Sequence, residues 1–340
     1  MYICTLQFYD IIKKIFLKGG GKMKITVIGC GRWGGCIAWY LDSIGHDITL
    51  YGKSDAPDMA RIIAERKNDY LEFPESIALS TSLECLNDAQ AIVISINSQG
   101  LRSLCRELKP CKLENKIIIL CMKGIENSTC KRLSEVIEEE LSPTLKVAVW
   151  LGPGHVEEFY NGRQNCMVID SKHDDVKKKL VEEFSGGIIR FYYGTDLIGN
   201  EIGAAAKNVI GVAAGMLDGL GLTSLKGALM SRGAHEVSKL ISAYGGNELS
   251  AYGLCHLGDY QATVVSKFSH NRQFGESYVK GESYTSLAEG YYTVPAMVKM
   301  AKDKGLELPI SCAVYDVLYN NVKPEIALSK LFDRSQKYEF

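Results

Sequence analysis

Gly29-Cys30-Gly31-Arg32-Trp33-Gly34 reads GxGxxG, set directly between a short β-branched run, Lys24–Ile28, and a helical pattern of Ile37, Ala38, Leu41 and Ile44 that Gly45 ends. A turn in that context is a cradle for a pyrophosphate. Gly29 permits the tight turn, Gly31 lets the backbone approach the phosphates, and Gly34 lets helix and strand pack closely. The helix N-terminus adds free N–H groups and positive dipole. The plain alternative is a Gly-rich βα turn with no ligand, and the strand–turn–helix context argues against it. Past the next run, His46–Tyr51, an NAD enzyme usually places Asp or Glu for the ribose 2′-hydroxyl. Here Gly52, Lys53 and Ser54 come first, with no acid until Asp55. A lysine and a hydroxyl suit a 2′-phosphate, so the expected cofactor is NADPH, with NADH second. The alternative is that Lys53 is a solvated loop lysine.

The second chemical candidate is Lys207. It lies in residues 203–227, a stretch almost wholly small and apolar with one Lys207-Asn208 pair near its start. A surface helix would show a polar face, so this pattern predicts a buried central helix over those residues. Its small residues would let other backbones, or a ligand, come close. Lysine is costly to bury unless paired or used. Two readings stay open: a working amine, or a side chain snorkelling from a helix end.

These candidates need a scaffold, and the chain alternates to provide one. Further strands are expected at Ile77–Ser80, Ala91–Ile96, Lys116–Cys121, Val147–Leu151, Cys166–Ile169 and Ile188–Phe191, with helices around Leu101–Leu108 and Leu133–Leu141. Repeated strand–helix units predict a doubly wound α/β Rossmann domain with a mainly parallel sheet. Ligands bind such sheets beyond the carboxyl ends of strands, where Lys123 and Gly152-Pro153-Gly154-His155 fall. From about Ile198 the strand pattern stops and helices take over. Val237, Leu240, Ile241 and Tyr244 keep helical spacing up to Gly245-Gly246. The expected organisation is a dinucleotide-binding domain over 23–197 and an all-α substrate domain over 198–335. Residues 252–263 and 269–275 then read as Gly-punctuated loops rich in hydrogen-bonding side chains, where binding residues collect. For Asn271 and Arg272 the alternative is a helix cap or a surface ion pair.

At 340 residues the chain suits two cores. A net charge of −1 carries no signature of nucleic-acid binding. No apolar run reaches the length of a membrane span. Eleven cysteines and six histidines show no metal-ligand spacing, and the cysteines read as reduced core residues of a cytoplasmic protein. Residues 1–22 do not resemble part of the fold. Lys18-Gly19-Gly20-Gly21-Lys22 would need purine-rich codons, as a translated ribosome-binding site does, so Met23 is the expected natural start. A short amphipathic surface helix is the other reading of that segment.

Taken in order, Gly29–Gly34, Lys123-Gly124, Gly152-Pro153, Lys207-Asn208-Val209, Gly219-Leu220-Gly221, Ser231-Arg232-Gly233, Gly258-Asp259, Asn271-Arg272 and Glu289-Gly290 form a set that resembles the NAD(P)-dependent glycerol-3-phosphate dehydrogenases, from Met23 to about residue 330. The resemblance implies reduction of dihydroxyacetone phosphate to sn-glycerol 3-phosphate in the cytoplasm, feeding glycerophospholipid synthesis, by a homodimer without metal, nucleic acid or stable membrane insertion. It makes Lys207 the catalytic lysine. It puts Lys123 near both cofactor and substrate, and Gly152, Gly154, Asn208, Asp259, Ser269, His270 and Asn271 at the substrate. It puts Arg32, Trp33, Lys53, Arg272, Leu287 and Glu289 at the cofactor, beside the turn glycines. A lysine can serve as both acid and base if burial and a neighbouring cation such as Lys123 lower its pKa. Asn208 can hold a substrate oxygen. Asp259 can orient Lys207 or bind a hydroxyl, and both roles stay open.

Two positions depart from the family pattern. Gly154 stands where the family usually has serine, and His270 where it usually has arginine. Histidine offers one donor per nitrogen and a conditional charge in place of a permanent fork. Either Arg272, the Gly154 N–H and a protonated His270 compensate, or the pocket takes a related phosphorylated polyol or ketone. The remaining alternatives are a hydroxyacid dehydrogenase of similar architecture and a non-catalytic NADPH-binding paralogue. A substrate panel separates the first, and cofactor binding without turnover would mark the second.

Overall fold

The computed structural model describes residues 21–336 and 338–339. The reading of residues 1–22 as an extension falls, up to residue 20, outside the described residues. Two compact units emerge. One takes in the described residues up to Met122 together with Leu133–Leu197, and the other Lys123–Arg132 together with the chain from Ile198 onward. The segment 123–132, expected within the first domain, therefore clusters with the second.

The first unit holds an eight-stranded sheet in the order β3-β2-β1-β4-β5-β6-β7-β8. Its strands are β1 (Lys24–Ile28), β2 (Asp47–Tyr51), β3 (Ala78–Ser80), β4 (Ala91–Ile94), β5 (Ile117–Leu120), β6 (Lys146–Leu151), β7 (Asn165–Ser171) and β8 (Ile189–Tyr193). Strands β1 to β6 are parallel, with Val27 opposite both Leu50 and Val93 and Ile119 opposite Ala148. The β6–β7 pair is antiparallel, Trp150 facing Ile169, and β8 runs parallel to β7. The central strands are buried on both faces, which is why they read as unbroken apolar runs. Alternate residues Val27, Leu50, Val93, Ile119, Trp150 and Ile169 join one apolar cluster, as a period of two requires. Helices α1 (Arg32–Ser43), α2 (Pro57–Glu65), α5 (Val156–Tyr160) and α6 (Asp174–Phe184) complete that cluster. Leu101, Leu104, Cys105 and Leu108 form the buried stripe of α3 (Leu101–Leu108), which packs on α4 (Leu133–Glu140).

The second unit is helical: α7 (Leu197–Gly219), α8 (Lys226–Ala243), α9 (His270–Lys280), α10 (Glu289–Asp303), α11 (Pro309–Tyr319) and α12 (Pro324–Phe332). A short π-helical turn spans Gln261–Val265. Residues 201–217 of α7 are buried on every side, so it is the core about which the others pack. The single helix expected over 203–227 is corrected here. It stops at Gly219, and α8 begins at Lys226 after a turn. Gly221 adopts φ +74°, with its N–H on the Asp218 carbonyl at 3.0 Å and the Leu222 N–H on the Leu217 carbonyl at 2.8 Å. That is a helix stop closed by a left-handed glycine, and it overrides an apolar pattern that runs on. Among the described residues no helix is long and apolar enough to cross a membrane.

Candidate active site

The small residues of α7 are filled by the chain's own groups. A Cβ on Gly203 would lie 3.0 Å from the His256 Cβ, and one on Gly211 2.6 Å from the Thr263 methyl. On Gly215 it would collide with the Arg272 backbone, and on Gly275 with that of Val212. The loop 252–266 and the start of α9 are thereby drawn against the turns of α7 that bear Lys207 and Asn208.

There Lys207 is 7% exposed. Its Nζ lies 2.8 Å from Asp259 Oδ2 and 2.6 Å from Thr263 Oγ1. Lys123 Nζ donates to the same carboxylate oxygen at 2.8 Å. Two ammonium groups thus share one oxygen of a buried aspartate. The other, Oδ1, is buried without a hydrogen-bond partner among the described residues. Burial lowers the Lys207 pKa from 10.5 to about 8; Asp259 opposes that shift and Lys123 reinforces it. Lysine here is paired and buried, not snorkelling, and its proton is exchangeable near neutral pH.

Asn208 belongs to a second chain of contacts. Its Nδ2 donates to the Lys123 carbonyl at 3.0 Å, and its Oδ1 accepts from Asn271 Nδ2 at 3.0 Å. Asn271 Oδ1 in turn accepts from the Gly290 N–H at 2.8 Å. Four segments are stitched around one pair of residues, and Asn208 holds Lys123 by its backbone. The segment carrying Lys123 is pinned again by the ion pair Arg132–Glu201, 2.6 Å and nearly dry, which explains its place in the second unit.

Thr263 was not among the residues singled out from sequence. The signal was the spacing Asp259 to Thr263, which on a helical turn puts both on one face; the loop reading hid that turn.

Other expected residues fall into different settings. Ser269 caps α9, its Oγ accepting from the Arg272 N–H at 3.3 Å. His270 Nδ1 lies 2.7 Å from the Tyr284 hydroxyl, which donates to Gln273 Oε1 at 3.3 Å. The imidazole is thus tied through Nδ1 to the Tyr284 hydroxyl. Arg272 Nη1 is held at 2.8 Å by both Asp218 and Glu276, an ion-pair network of the kind weighed as the alternative reading. Glu289 opens α10 and its carbonyl accepts from Thr293 Oγ1 at 2.9 Å. Leu287 is exposed just before it.

The glycine turn of the first unit fits a dinucleotide by its spacing. Gly29 has φ +111°, and a Cβ on it would collide with the Ser95 carbonyl, as one on Gly34 would with the Gly29 carbonyl. Gly31 differs: a Cβ there meets nothing nearer than the Asp58 carboxylate at 3.8 Å. No side chain caps the α1 N-terminus. An open face at Gly31 beside an uncapped helix end is what a phosphate needs. Trp33 packs on Phe159, ring centroids 6.0 Å apart. Arg32 Nη2 donates to both carboxylate oxygens of Glu157, at 2.7 and 2.9 Å. Lys53 is exposed and paired with Glu107 at 2.8 Å. Gly152 follows β6 with φ +127°, and Gly154 has φ +154°. A Cβ on Gly154 would strike the Phe159 ring, so this backbone has no room for the serine expected of the family.

Two family models match the chain: the NAD-dependent glycerol-3-phosphate dehydrogenase N-terminus over residues 24–177 and the C-terminus over residues 196–329. The glycerol-3-phosphate dehydrogenase [NAD(P)+] of Prosthecochloris aestuarii is 35% identical over 334 residues, covering 93% of this chain and 100% of that one. That of Bacillus mycoides is 36% identical over 332 residues, covering 93% and 97%. The crystal structure of the Coxiella burnetii glycerol-3-phosphate dehydrogenase superposes with a TM-score of 0.85 at 27% identity, covering 92% of this chain and 99% of that one. With both halves matched and relatives above 30% identity over nearly their full length, the chain belongs to the NAD(P)-dependent glycerol-3-phosphate dehydrogenase family.

Proposed function

We propose that Lys207 is the proton-transfer group of this enzyme's reaction, the reduction of dihydroxyacetone phosphate to sn-glycerol 3-phosphate by NAD(P)H. The observation that carries the assignment is a buried amine with a pKa brought down to about 8, hydrogen-bonded to Thr263 and sharing Asp259 with Lys123. The bound nicotinamide supplies the hydride. The protein's part is to hold the ketone and give its oxygen a proton. Protonated Lys207 donates it during reduction, and neutral Lys207 takes it back in the reverse direction. Lys123 lowers the cost of deprotonating Lys207 and leaves the cluster one positive charge in excess, which favours an anionic substrate. Asp259 Oδ1, buried and unpartnered among the described residues, is the acceptor for a substrate hydroxyl. Asn208 holds the Lys123 backbone in place. The N-terminus of α9, with His270 in its first turn and Asn271 bonded to Asn208, is our candidate for the phosphate side. Arg272 is held by Asp218 and Glu276, so we assign it to shaping α9 rather than to the cofactor.

For the cofactor, the Gly31 turn receives the pyrophosphate and Trp33 lines it. NADPH is the preferred form on the strength of Lys53 and Ser54 where an acid would select NADH. A cytoplasmic homodimer is read from the family alone. The deciding assay follows NADPH oxidation with dihydroxyacetone phosphate and repeats it with NADH. Turnover with a higher kcat/KM for NADPH supports the reading. Turnover favouring NADH removes the cofactor preference, and no turnover removes the reaction.

A further inference from the structure

His256 and Tyr260 lie under the active site and no step above uses them. Both are fully buried, with 0% exposure. His256 Nδ1 lies 2.9 Å from the Gly203 carbonyl, and His256 Nε2 lies 2.7 Å from the Tyr260 hydroxyl. A carbonyl only accepts, so Nδ1 carries the hydrogen; Nε2 is then an acceptor, and the tyrosine donates to it. Every polar atom of the imidazole is satisfied in the neutral form. Gly203 is the residue one turn before Lys207 on α7, and Tyr260 directly follows Asp259. The two hydrogen bonds therefore tie the turn that carries the lysine to the turn that carries its carboxylate.

The packing is built around the pair. A Cβ on Gly203 would press on the His256 Cβ at 3.0 Å, and a Cβ on Gly233 of α8 would stand 3.2 Å from the Tyr260 hydroxyl. Within the loop, the Asp259 N–H returns to the His256 carbonyl at 3.0 Å. His256, Asp259 and Tyr260 are thus tied into one piece, and Gly203 is where that piece meets α7.

We infer that the His256–Tyr260 pair is a positioning device that fixes the Asp259 carboxylate against Lys207 and so sets the protonation of the lysine. The inference rests on Lys207 being the proton-transfer group. The charged and titratable groups around Lys207 are Asp259 from the 257–259 turn, Lys123 from the 123–132 segment, and the His256 ring itself; Glu236 of α8 acts on Tyr260 from the far side. Burial, with Lys207 also opposing a second positive charge, takes the His256 pKa down to about 4. The ring is therefore neutral at neutral pH and adds no cation beside the lysine. Asp259 is left as the group that holds the Lys207 pKa up against burial and Lys123. If the loop loosens, that support weakens and the lysine loses its proton at lower pH.

The experiment compares Tyr260→Phe, His256→Leu and His256→Asn by kcat and KM for dihydroxyacetone phosphate across pH, with Lys207→Ala as reference. Tyr260→Phe deletes one hydroxyl and leaves Nε2 a buried acceptor without its donor. We expect kcat to fall about 5- to 20-fold, the basic limb of the pH profile to move down by about 0.5–1 unit, and KM for the cofactor to stay as it was. His256→Leu should shift further. His256→Asn, whose amide can still donate to Gly203, should recover part of the lost limb. Unmoved basic limbs in Tyr260→Phe and His256→Leu would overturn the inference, whether or not kcat falls, because a loosened fold lowers rate without moving that limb. If Lys207→Ala itself retains the wild-type basic limb, the assignment of Lys207 fails instead, and the two failures are told apart.

Discussion

Glycine does opposite work in the two units. At the turn after β1, Gly29 and Gly34 are filled by the chain's own backbone, while Gly31 keeps an open face. What is offered there is main chain: N–H groups and a helix dipole. Along α7, Gly203, Gly211 and Gly215 are each filled by a neighbouring part of the same chain. What is offered there is side chain: Lys123, Lys207, Asn208, Asp259 and Thr263. A glycine pattern announces close approach, and only packing tells whether a ligand or another segment makes it.

The sharpest way to break that comparison is to remove the side-chain chemistry. Lys207→Ala should lower kcat by about two to four orders of magnitude, with cofactor affinity retained, since the glycine turn is untouched. The sign of the pH dependence follows from the Lys207 pKa of about 8. Reduction uses the protonated amine, so its kcat should fall as pH rises through that value; oxidation uses the neutral amine and should rise. Near-normal kcat in the variant, or a reduction rate that climbs above pH 8, would place proton transfer elsewhere.

Next in size is the contrast among the turn glycines. Gly34→Ala forces a methyl into the Gly29 carbonyl and should cost about 1–3 kcal/mol of stability, read as a lower Tm. Gly31→Ala meets open space at φ −72° and should leave Tm within the small range of surface substitutions. It should nonetheless weaken NADPH by about tenfold or more, a loss of roughly 1.4 kcal/mol, because its methyl occupies the face that the phosphates need. Equal effects on Tm, or intact NADPH affinity in Gly31→Ala, would erase the distinction between a packing glycine and a binding one.

What was legible from sequence follows from the range of the interactions involved. The strands and the Gly29–Gly34 turn are local: periodicity, β-branching and a motif of six residues carry them. The end of α7 was missed because the apolar run continues through Leu220 and Leu222, while the stop depends on the φ of Gly221. The allegiance of residues 123–132 was not legible, since it depends on Arg132 meeting Glu201, 69 residues away. Lys207 and Asn208 stood out as polar residues in an apolar stretch, and the family resemblance added Asp259; their contacts come from tertiary packing. Thr263 and His256 stood inside a stretch already noted as rich in hydrogen-bonding groups, and nothing local separated them from Tyr252 or Gln261.

His270 gives a smaller test on the side-chain half of the comparison. Its Nδ1 is engaged with the Tyr284 hydroxyl at 2.7 Å, and a neutral imidazole carries only one N–H donor. An arginine would bring a permanent charge and a fork of donors. His270→Arg should lower KM for dihydroxyacetone phosphate by about 3- to 10-fold, in line with one charge-assisted hydrogen bond gained, and leave KM for NADPH alone. An unchanged substrate KM would remove His270 from the phosphate side.

The smallest effect is expected at Lys53, where the main-chain site acquires a side-chain contribution. The lysine stands two residues beyond β2, largely exposed and paired with Glu107 at 2.8 Å. Exposed pairs of this kind contribute little, about 0–1 kcal/mol, so a bound 2′-phosphate can draw the lysine away at small cost. The phosphate carries more charge than the Glu107 carboxylate, and no acidic residue follows β2 in the sequence before Asp55. Lys53→Asp reverses the charge, which discriminates better than alanine because it repels the phosphate as well as losing the cation. The ratio of kcat/KM for NADPH to that for NADH should fall by about 5- to 30-fold, or roughly 1–2 kcal/mol. The Gly31-dependent affinity common to both cofactors should persist. A ratio that does not move would make Lys53 a solvated partner of Glu107 and leave recognition in the first unit to the backbone alone.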